Sequence, residues 1–313
     1  MSAATKISTV AILGAGIIGS SWALVFARAG LNVRIWERKE TSGTIGRIAA
    51  IIRILQGSGL EGDEHTLDRL RCYSKLEKTL DEVDYIQESI TEDIDAKRRL
   101  LRDVQGHIGE DVAIASSTSG LAPSDMARDL DRPEQLLVVH PLTPPHLLPI
   151  VEVCPSPNTS ATIVETTVAF MRRIGQRPML LKKEIAGFVL NRVLAATMNE
   201  FFALVADGVL DPEDIDAALT EGFGLRWSTL GPIAAMDLNA PGGVRDYLKR
   251  YGALFKNVSR SRGVQSALDE AMVETLASAA DRLYNGQDRA VRAGNRDLAI
   301  ATVRRLKSDA NRK

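Results

Sequence analysis

Three glycines in one short stretch, Gly14-Ala15-Gly16-Ile17-Ile18-Gly19, have the spacing of a phosphate cradle. In that spacing the first glycine permits a tight turn and the second lets backbone approach an anion. The third lets the following helix pack closely on the preceding strand. The free N–H groups at that helix's start then face the negative charge. An acidic residue, Glu37, closes the next apolar run, where its carboxylate accepts bonds from ribose hydroxyls and repels a 2′-phosphate. These residues point to a dinucleotide, NAD rather than NADP, although Arg38 and Lys39 are able to swing onto a phosphate. A glycine turn that packs strand on helix without a ligand is the alternative.

Two polar residues stand where other apolar runs end, and a third stands inside one. Ser119 follows VAIAS, His140 follows LLVV and precedes Pro141, and Glu152 interrupts PIVEVC. A buried carboxylate is costly unless paired, and His140 is the available partner for Glu152. An imidazole so held is suited to work as a base. Taken singly, each residue has a plainer reading: a satisfied structural histidine, turn chemistry in SSTSG, and a glutamate facing solvent at a sheet edge.

The surrounding elements decide whether these residues meet. Strand-like runs at 7–13, 31–37, 83–88, 112–116, 136–139, 149–154 and 178–183 alternate with helical stretches at 20–30, 41–56, 92–105 and 160–174. After GSGLEG the chain reads as another polar helical stretch. Alternation of this kind predicts a parallel, doubly wound α/β sheet of the Rossmann type. Such sheets bind ligands beyond the carboxyl ends of their strands, which is where Ser119 and His140 fall. From residue 186 onward the strand signal stops, and an all-α C-terminal domain is predicted over 186–313 after a nucleotide-binding domain over 1–185. Asp211-Pro212-Glu213-Asp214 starts one of its helices and Gly222 ends it.

Taken together the motifs resemble the L-3-hydroxyacyl-CoA dehydrogenase superfamily, in particular its lambda-crystallin/L-gulonate 3-dehydrogenase branch. The resemblance covers nearly the whole chain. It rests on GAGIIG, QESITEDIDAK (87–97), SSTSG, HPLTPPHLLPIVEV (140–153), KEIAGFVLNRV (183–193) and EGFGLRWSTLGP (221–232). It implies catalytic roles for Ser119, His140, Glu152 and Asn191. It also adds Glu92, Lys97 and Ser117 to the cofactor set of Gly14, Gly16, Ile17, Ile18, Gly19, Glu37 and Arg38. Without the resemblance, Glu92 and Lys97 read as an exposed helix pair. The implied mechanism has His140 taking the hydroxyl proton while hydride passes to NAD, with Glu152 orienting the imidazole. Ser119 and Asn191 then bond the oxygen as it becomes a carbonyl.

The chain departs from the acyl-CoA enzymes at Ser117 and Thr143, where those carry asparagines, and at Leu225-Arg226-Trp227, where they carry a tyrosine-proline stretch. A guanidinium is suited to grip a carboxylate with two bonds. Arg226 is therefore the expected reader of a free 3-hydroxy acid such as L-gulonate, with Ser119 and Thr143 beside the substrate. A surface arginine stacked on Trp227 is the alternative. Carnitine dehydrogenases also resemble the chain around GLRW, and Trp227 and Tyr247 are candidates for a trimethylammonium contact. A CoA ester is another candidate substrate, and a crystallin-like structural role is the non-enzymatic reading.

Bulk composition excludes other classes. With 39 basic and 40 acidic side chains the net charge is −1, which gives no pull toward nucleic acid or anionic membrane. Cys72 and Cys154 lack metal-site spacing, no metal is expected, and both read as small hydrophobes in a reducing compartment. No signal-peptide pattern or bilayer-length apolar run is seen, so a cytoplasmic protein is expected. The resemblance implies a homodimer, with apolar helices at 186–207 and 267–284 as its candidate surface.

Overall fold

The computed structural model describes residues 7–37, 43–261, 269–284 and 287–310. Eight strands form one sheet: β1 (Thr9–Leu13), β2 (Asn32–Trp36), β3 (Leu70–Tyr73), β4 (Tyr85–Glu88), β5 (Ala113–Ser116), β6 (Leu136–Pro141), β7 (Ile150–Pro155) and β8 (Arg177–Leu180). Their order is β3-β2-β1-β4-β5-β6-β7-β8. Every neighbouring pair is parallel except β6–β7. That exception qualifies the all-parallel expectation, and it follows from chain length. A parallel partner needs a crossover of about a dozen residues or more, and the link from Pro141 to Ile150 is too short for one.

The edge strand β3 lies where the sequence suggests a helix. Only Leu70 of its four residues is buried, so its alternation is too brief to stand out against the polar run around it. The interior strands are covered on both faces. Val10 and Ile12 of β1 point into one apolar cluster, and Ala11 and Leu13 into the other, as the two-residue period of a strand requires. The first cluster is packed by α1 (Ile17–Arg28), α2 (Thr44–Ile54) and α6 (Ala161–Arg173). There Trp22, Phe26 and Phe170 stack at 5.4 and 5.7 Å, each contributing roughly 2–3 kcal/mol by burial. The second is packed by α4 (Ile94–Gln105) and α5 (Pro123–Met126), with α3 (Leu76–Leu80) contributing Leu80.

Helices α7 (Leu190–Ala206), α8 (Glu213–Ala217), α9 (Gly224–Thr229), α10 (Pro232–Leu238), α11 (Gly243–Ser261), α12 (Glu270–Tyr284) and α13 (Arg289–Ala310) follow. The chain forms two compact units, residues 1–192 with 290–313 and residues 193–289. The sequence-based division falls at 185, and it does not anticipate the return of the last helix to the first unit. Nor does Gly222 stop a helix. The chain runs through a π-helical turn, Ala218–Phe223, directly into α9. Glycine ends a helix by turning left-handed, and Gly222 is not among the residues of positive φ, whereas Gly208 is, at φ 66°. No described helix is long and apolar enough to cross a membrane.

Helix α13 fastens to the first unit through Ala301, fully buried, and through Arg304, whose Nη1 donates to the Leu147 carbonyl at 2.7 Å. Under it His146 is buried, with Nδ1 on the Ser21 hydroxyl at 2.6 Å and Nε2 without a partner among the described residues. Burial, with the charges of Arg28, Arg296 and Arg304, pushes this imidazole down to about 4 from 6.5. The unfolded chain therefore binds a proton first, and stability is lost as pH falls from the unfolded value toward the folded one. At pH 4.5 the wild type should lose on the order of 2 kcal/mol through this group relative to neutral pH. In His146→Gln that part of the acid limb should vanish from urea unfolding; an unchanged limb refutes the assignment.

Candidate active site

The glycine loop joins β1 to α1. Gly14 takes a φ of 107°, and a Cβ there would lie 2.6 Å from the Ser89 carbonyl oxygen. A Cβ on Gly19 would lie 1.9 Å from the Gly14 carbonyl oxygen, whereas one on Gly16 would meet nothing within 4 Å among the described residues. Turn, close packing and an open approach are thus divided among the three glycines as their spacing predicts. Gly16 caps α1 without a side chain, and Ile17 beside it is exposed. The first N–H groups of this helix have no acceptor within it. At the end of β2 the Glu37 carboxylate is buried and accepts from the Thr44 hydroxyl at 2.8 Å. Arg47 ties this corner to the loop through a 2.7 Å bond to the Ala15 carbonyl. These features fit a dinucleotide: open backbone for a pyrophosphate, and an acid fixed one strand away for a ribose. Arg38 and Lys39 lie outside the described residues.

On the antiparallel pair, His140 and Glu152 stand in direct register. His140 Nδ1 donates to Glu152 Oε2 at 2.7 Å, and Glu152 is fully buried. Since β7 runs between β6 and β8, Glu152 is not at a sheet edge. Its other oxygen, Oε1, accepts from the backbone N–H groups of Val189 at 2.6 Å and Leu190 at 3.0 Å. Those amides are aimed by a bend at Phe188, which has φ 48°, a conformation that bulky residues adopt only under constraint. The Phe188 ring lies 5.5 Å from the imidazole. Nδ1 being engaged, Nε2 is the ring nitrogen left for a proton.

A second network holds the serine. Glu92 Oε1 accepts from the Thr118 hydroxyl at 2.5 Å, the Ser119 amide at 2.9 Å and the Ser119 hydroxyl at 3.3 Å. Burial opposes charge on Glu92, but the Thr118 hydroxyl, Lys97 and the amides of Ser119 and Gly120 outweigh it and hold the carboxyl below its ordinary range. Asn191 Nδ2 donates to the Ser119 carbonyl at 2.7 Å, which anchors the serine's backbone. Lys97 is only 1 % exposed, so it does not belong to an exposed helix pair. Its ammonium lies 3.6 Å from Glu92 Oε2 and bonds both oxygens of Glu88, at 2.7 and 2.9 Å.

Glu88 is the residue that sequence reasoning passes over. The available signal was Gln87-Glu88, two polar residues in succession at the end of a strand read as buried, each of which needs a partner. Gln87 uses its amide on the Ser117 hydroxyl at 2.8 Å.

A cavity of about 240 Å³ is lined by Ile18, Glu92, Lys97, Ser117, Ser119, His140 and Thr143, with Ser89, Ile90 and Pro141. It gathers expected cofactor and catalytic residues at the carboxyl ends of β4, β5 and β6. A larger hollow, about 430 Å³, lies against Asp84 and Glu110 at the opposite ends of the strands and offers neither imidazole nor thiol. Both cysteines are poor nucleophiles: burial pushes Cys72 and Cys154 up to about 12. Among the described residues no cluster suited to a metal ion occurs. Arg226 belongs to the second unit, where its guanidinium lies 5.6 Å from the Phe223 ring centroid, and Phe223 in turn stacks on Trp227 at 5.0 Å.

The NAD-binding domain of 3-hydroxyacyl-CoA dehydrogenase matches residues 9–185, and the C-terminal domain matches residues 187–280. The chain belongs to the 3-hydroxyacyl-CoA dehydrogenase family. It is thus an NAD-dependent oxidoreductase acting on CH–OH groups. This dehydrogenase is 36 % identical over 276 residues to lambda-crystallin of Oryctolagus cuniculus, covering 86 % of each chain. It is 36 % identical over 255 residues to L-carnitine dehydrogenase of Pseudomonas aeruginosa, covering 80 % of this chain and 79 % of that one. Among solved structures it resembles the NAD+-dependent dismutase 5-formyl-3-hydroxy-2-methylpyridine 4-carboxylic acid 5-dehydrogenase. The TM-score is 0.83 at 26 % identity, over 96 % of this dehydrogenase and 99 % of that chain.

Proposed function

We propose that this dehydrogenase oxidises the 3-hydroxyl of a short free L-3-hydroxy acid of the L-gulonate type. The observation that carries the reading is the 2.7 Å contact between Glu152 and His140, whose imidazole borders the cavity shared with Ser119. His140 Nε2 takes the hydroxyl proton. Glu152, already bonded by two backbone amides, stays a carboxylate and stabilises the imidazolium that forms. Ser119 hydrogen-bonds the oxygen as it becomes a carbonyl, and Asn191 acts on that contact through the serine's backbone. The glycine loop and Glu37, with Glu92, Lys97 and Ser117, would hold oxidised NAD, which would supply the hydride acceptor.

Arg226 supports a free acid. No carboxylate pairs with it among the described residues, where it lies over the Phe223 ring, and a guanidinium is suited to grip a carboxylate with two bonds. Arg226→Met should raise KM for the free acid roughly 100-fold with kcat little changed, the loss of one charge-assisted bidentate contact. An unchanged KM refutes this role. The resemblance to an L-carnitine dehydrogenase favours a second reading, in which aromatic groups such as Trp227, or Tyr247 with Tyr251 at 4.9 Å, meet a quaternary ammonium.

Steady-state kcat/KM with NAD on L-gulonate, L-3-hydroxybutyrate, L-carnitine and L-3-hydroxybutyryl-CoA separates the readings. A CoA ester preferred over every free acid overturns the proposal. Within the second unit Val193, Leu194 and Val273, on the two helices expected to form a homodimer surface, are 51–59 % exposed, and we assign these helices to a homodimer. A single-chain mass in sedimentation equilibrium would refute that.

A further inference from the structure

Glu88 lies at the carboxyl end of β4, wholly buried, and accepts four hydrogen bonds. Two come from the Lys97 ammonium, one from the Ser116 hydroxyl and one from the Ile90 amide at 2.7 Å. Four donors and no acceptor match an ionised carboxylate. Lys97 is therefore neutralised from behind by Glu88, while Glu92 approaches the same ammonium at 3.6 Å from the front. Two carboxylates share one ammonium. The Glu88–Lys97–Glu92 group beside Ser119 thus carries one negative charge in excess, in a setting where water screens poorly.

A nicotinamide ring is cationic when oxidised and neutral when reduced, so such a group discriminates between the two forms by charge alone. We propose that Glu88 is a positioning residue that sets this excess charge, and thereby makes the site prefer the oxidised cofactor over the reduced one. The proposal rests on the cofactor reading above. Glu92 and Lys97 meet the cofactor, whereas Glu88 acts through Lys97.

The test is binding, not turnover: Kd for NAD+ by calorimetry and Kd for NADH by fluorescence. The proteins compared are the wild type, Glu88→Gln, Lys97→Met and the double variant. Any loosening of uncharged packing weakens both forms alike and cancels in the ratio Kd(NAD+)/Kd(NADH). Glu88→Gln should raise that ratio about tenfold, Lys97→Met should lower it, and the double variant, with the net charge restored, should return near the wild-type ratio. A ratio constant within about twofold across the set overturns the proposal and leaves Glu88 a structural residue. Should Glu88→Gln not fold, the sign of the Lys97→Met shift decides alone. Failure of the wild type to bind either form defeats the cofactor reading itself, a separate outcome.

Discussion

His140→Gln should lose at least about 1,000-fold in kcat, within the range general-base catalysis commands, while its Kd for NAD+ stays within about twofold of wild type. Glutamine spans part of the imidazole's reach and can still donate to Glu152, so the buried carboxylate keeps a partner and the fold keeps its register. What the amide cannot do is accept and hold a proton. The loss should therefore fall on the chemical step and leave cofactor binding alone, because the glycine loop and Glu37 do not touch this pair. Residual activity near the wild-type level would remove His140 from the mechanism. A Kd that rises in step with the lost kcat would instead mean that the histidine shapes the cofactor site.

Gly19→Ala should lose about 100-fold or more in NAD+ affinity and some thermal stability, as overpacked sites do. The added methyl would stand 1.9 Å from the Gly14 oxygen and 3.3 Å from Ile12 Cγ2. Gly14 has little room to retreat, because the Ser89 backbone packs against it. Helix α1 must therefore rise from β1 and carry its free amides away from the anion they bind. Gly16→Ala supplies the contrast. Its methyl meets no atom of the described residues within 4 Å, so the protein should melt normally and yet bind NAD+ more weakly, since the space it fills belongs to the ligand. Calorimetric Kd and melting temperature together distinguish the cases; wild-type affinity in Gly19→Ala would show that this helix start is not the cradle.

The glycine loop, Glu37 and the His140–Glu152 pair were legible in the sequence because each is written in residue types with few alternatives. Gly-x-Gly-x-x-Gly after an apolar strand has one common structural use, and a lone acid inside PIVEVC demands a partner. The antiparallel turn of β7 was not drawn from the pattern, yet it was contained in the spacing of Pro141 and Ile150. Glu88 escaped because it ends its strand, where a carboxylate can equally face solvent; only the fold brings Lys97 and Ser116 to it from other elements. Lys97 escaped a buried assignment for the same reason, since helical periodicity places it among charges and says nothing of the strand beneath. The continuation past Gly222 depends on how the second unit packs, which no local signal carries. Asn191 was named through family resemblance, and its bond to the Ser119 backbone was visible only in three dimensions.

His140 and Glu152 face one another across a ladder, and the short link from Pro141 to Ile150 closes its end. Pairing register, not the length of that link, sets the distance between imidazole and carboxylate. His146 and Leu147 of that link are buried and fixed, but its exposed start, Leu142 and Thr143, can change composition while the His140–Glu152 pair stays where it is. The same segment contributes Thr143 to the cavity wall. A fold built this way separates what it does to a hydroxyl group from whose hydroxyl it accepts. New substrates become reachable by redrawing one hairpin end, with the reaction chemistry inherited intact.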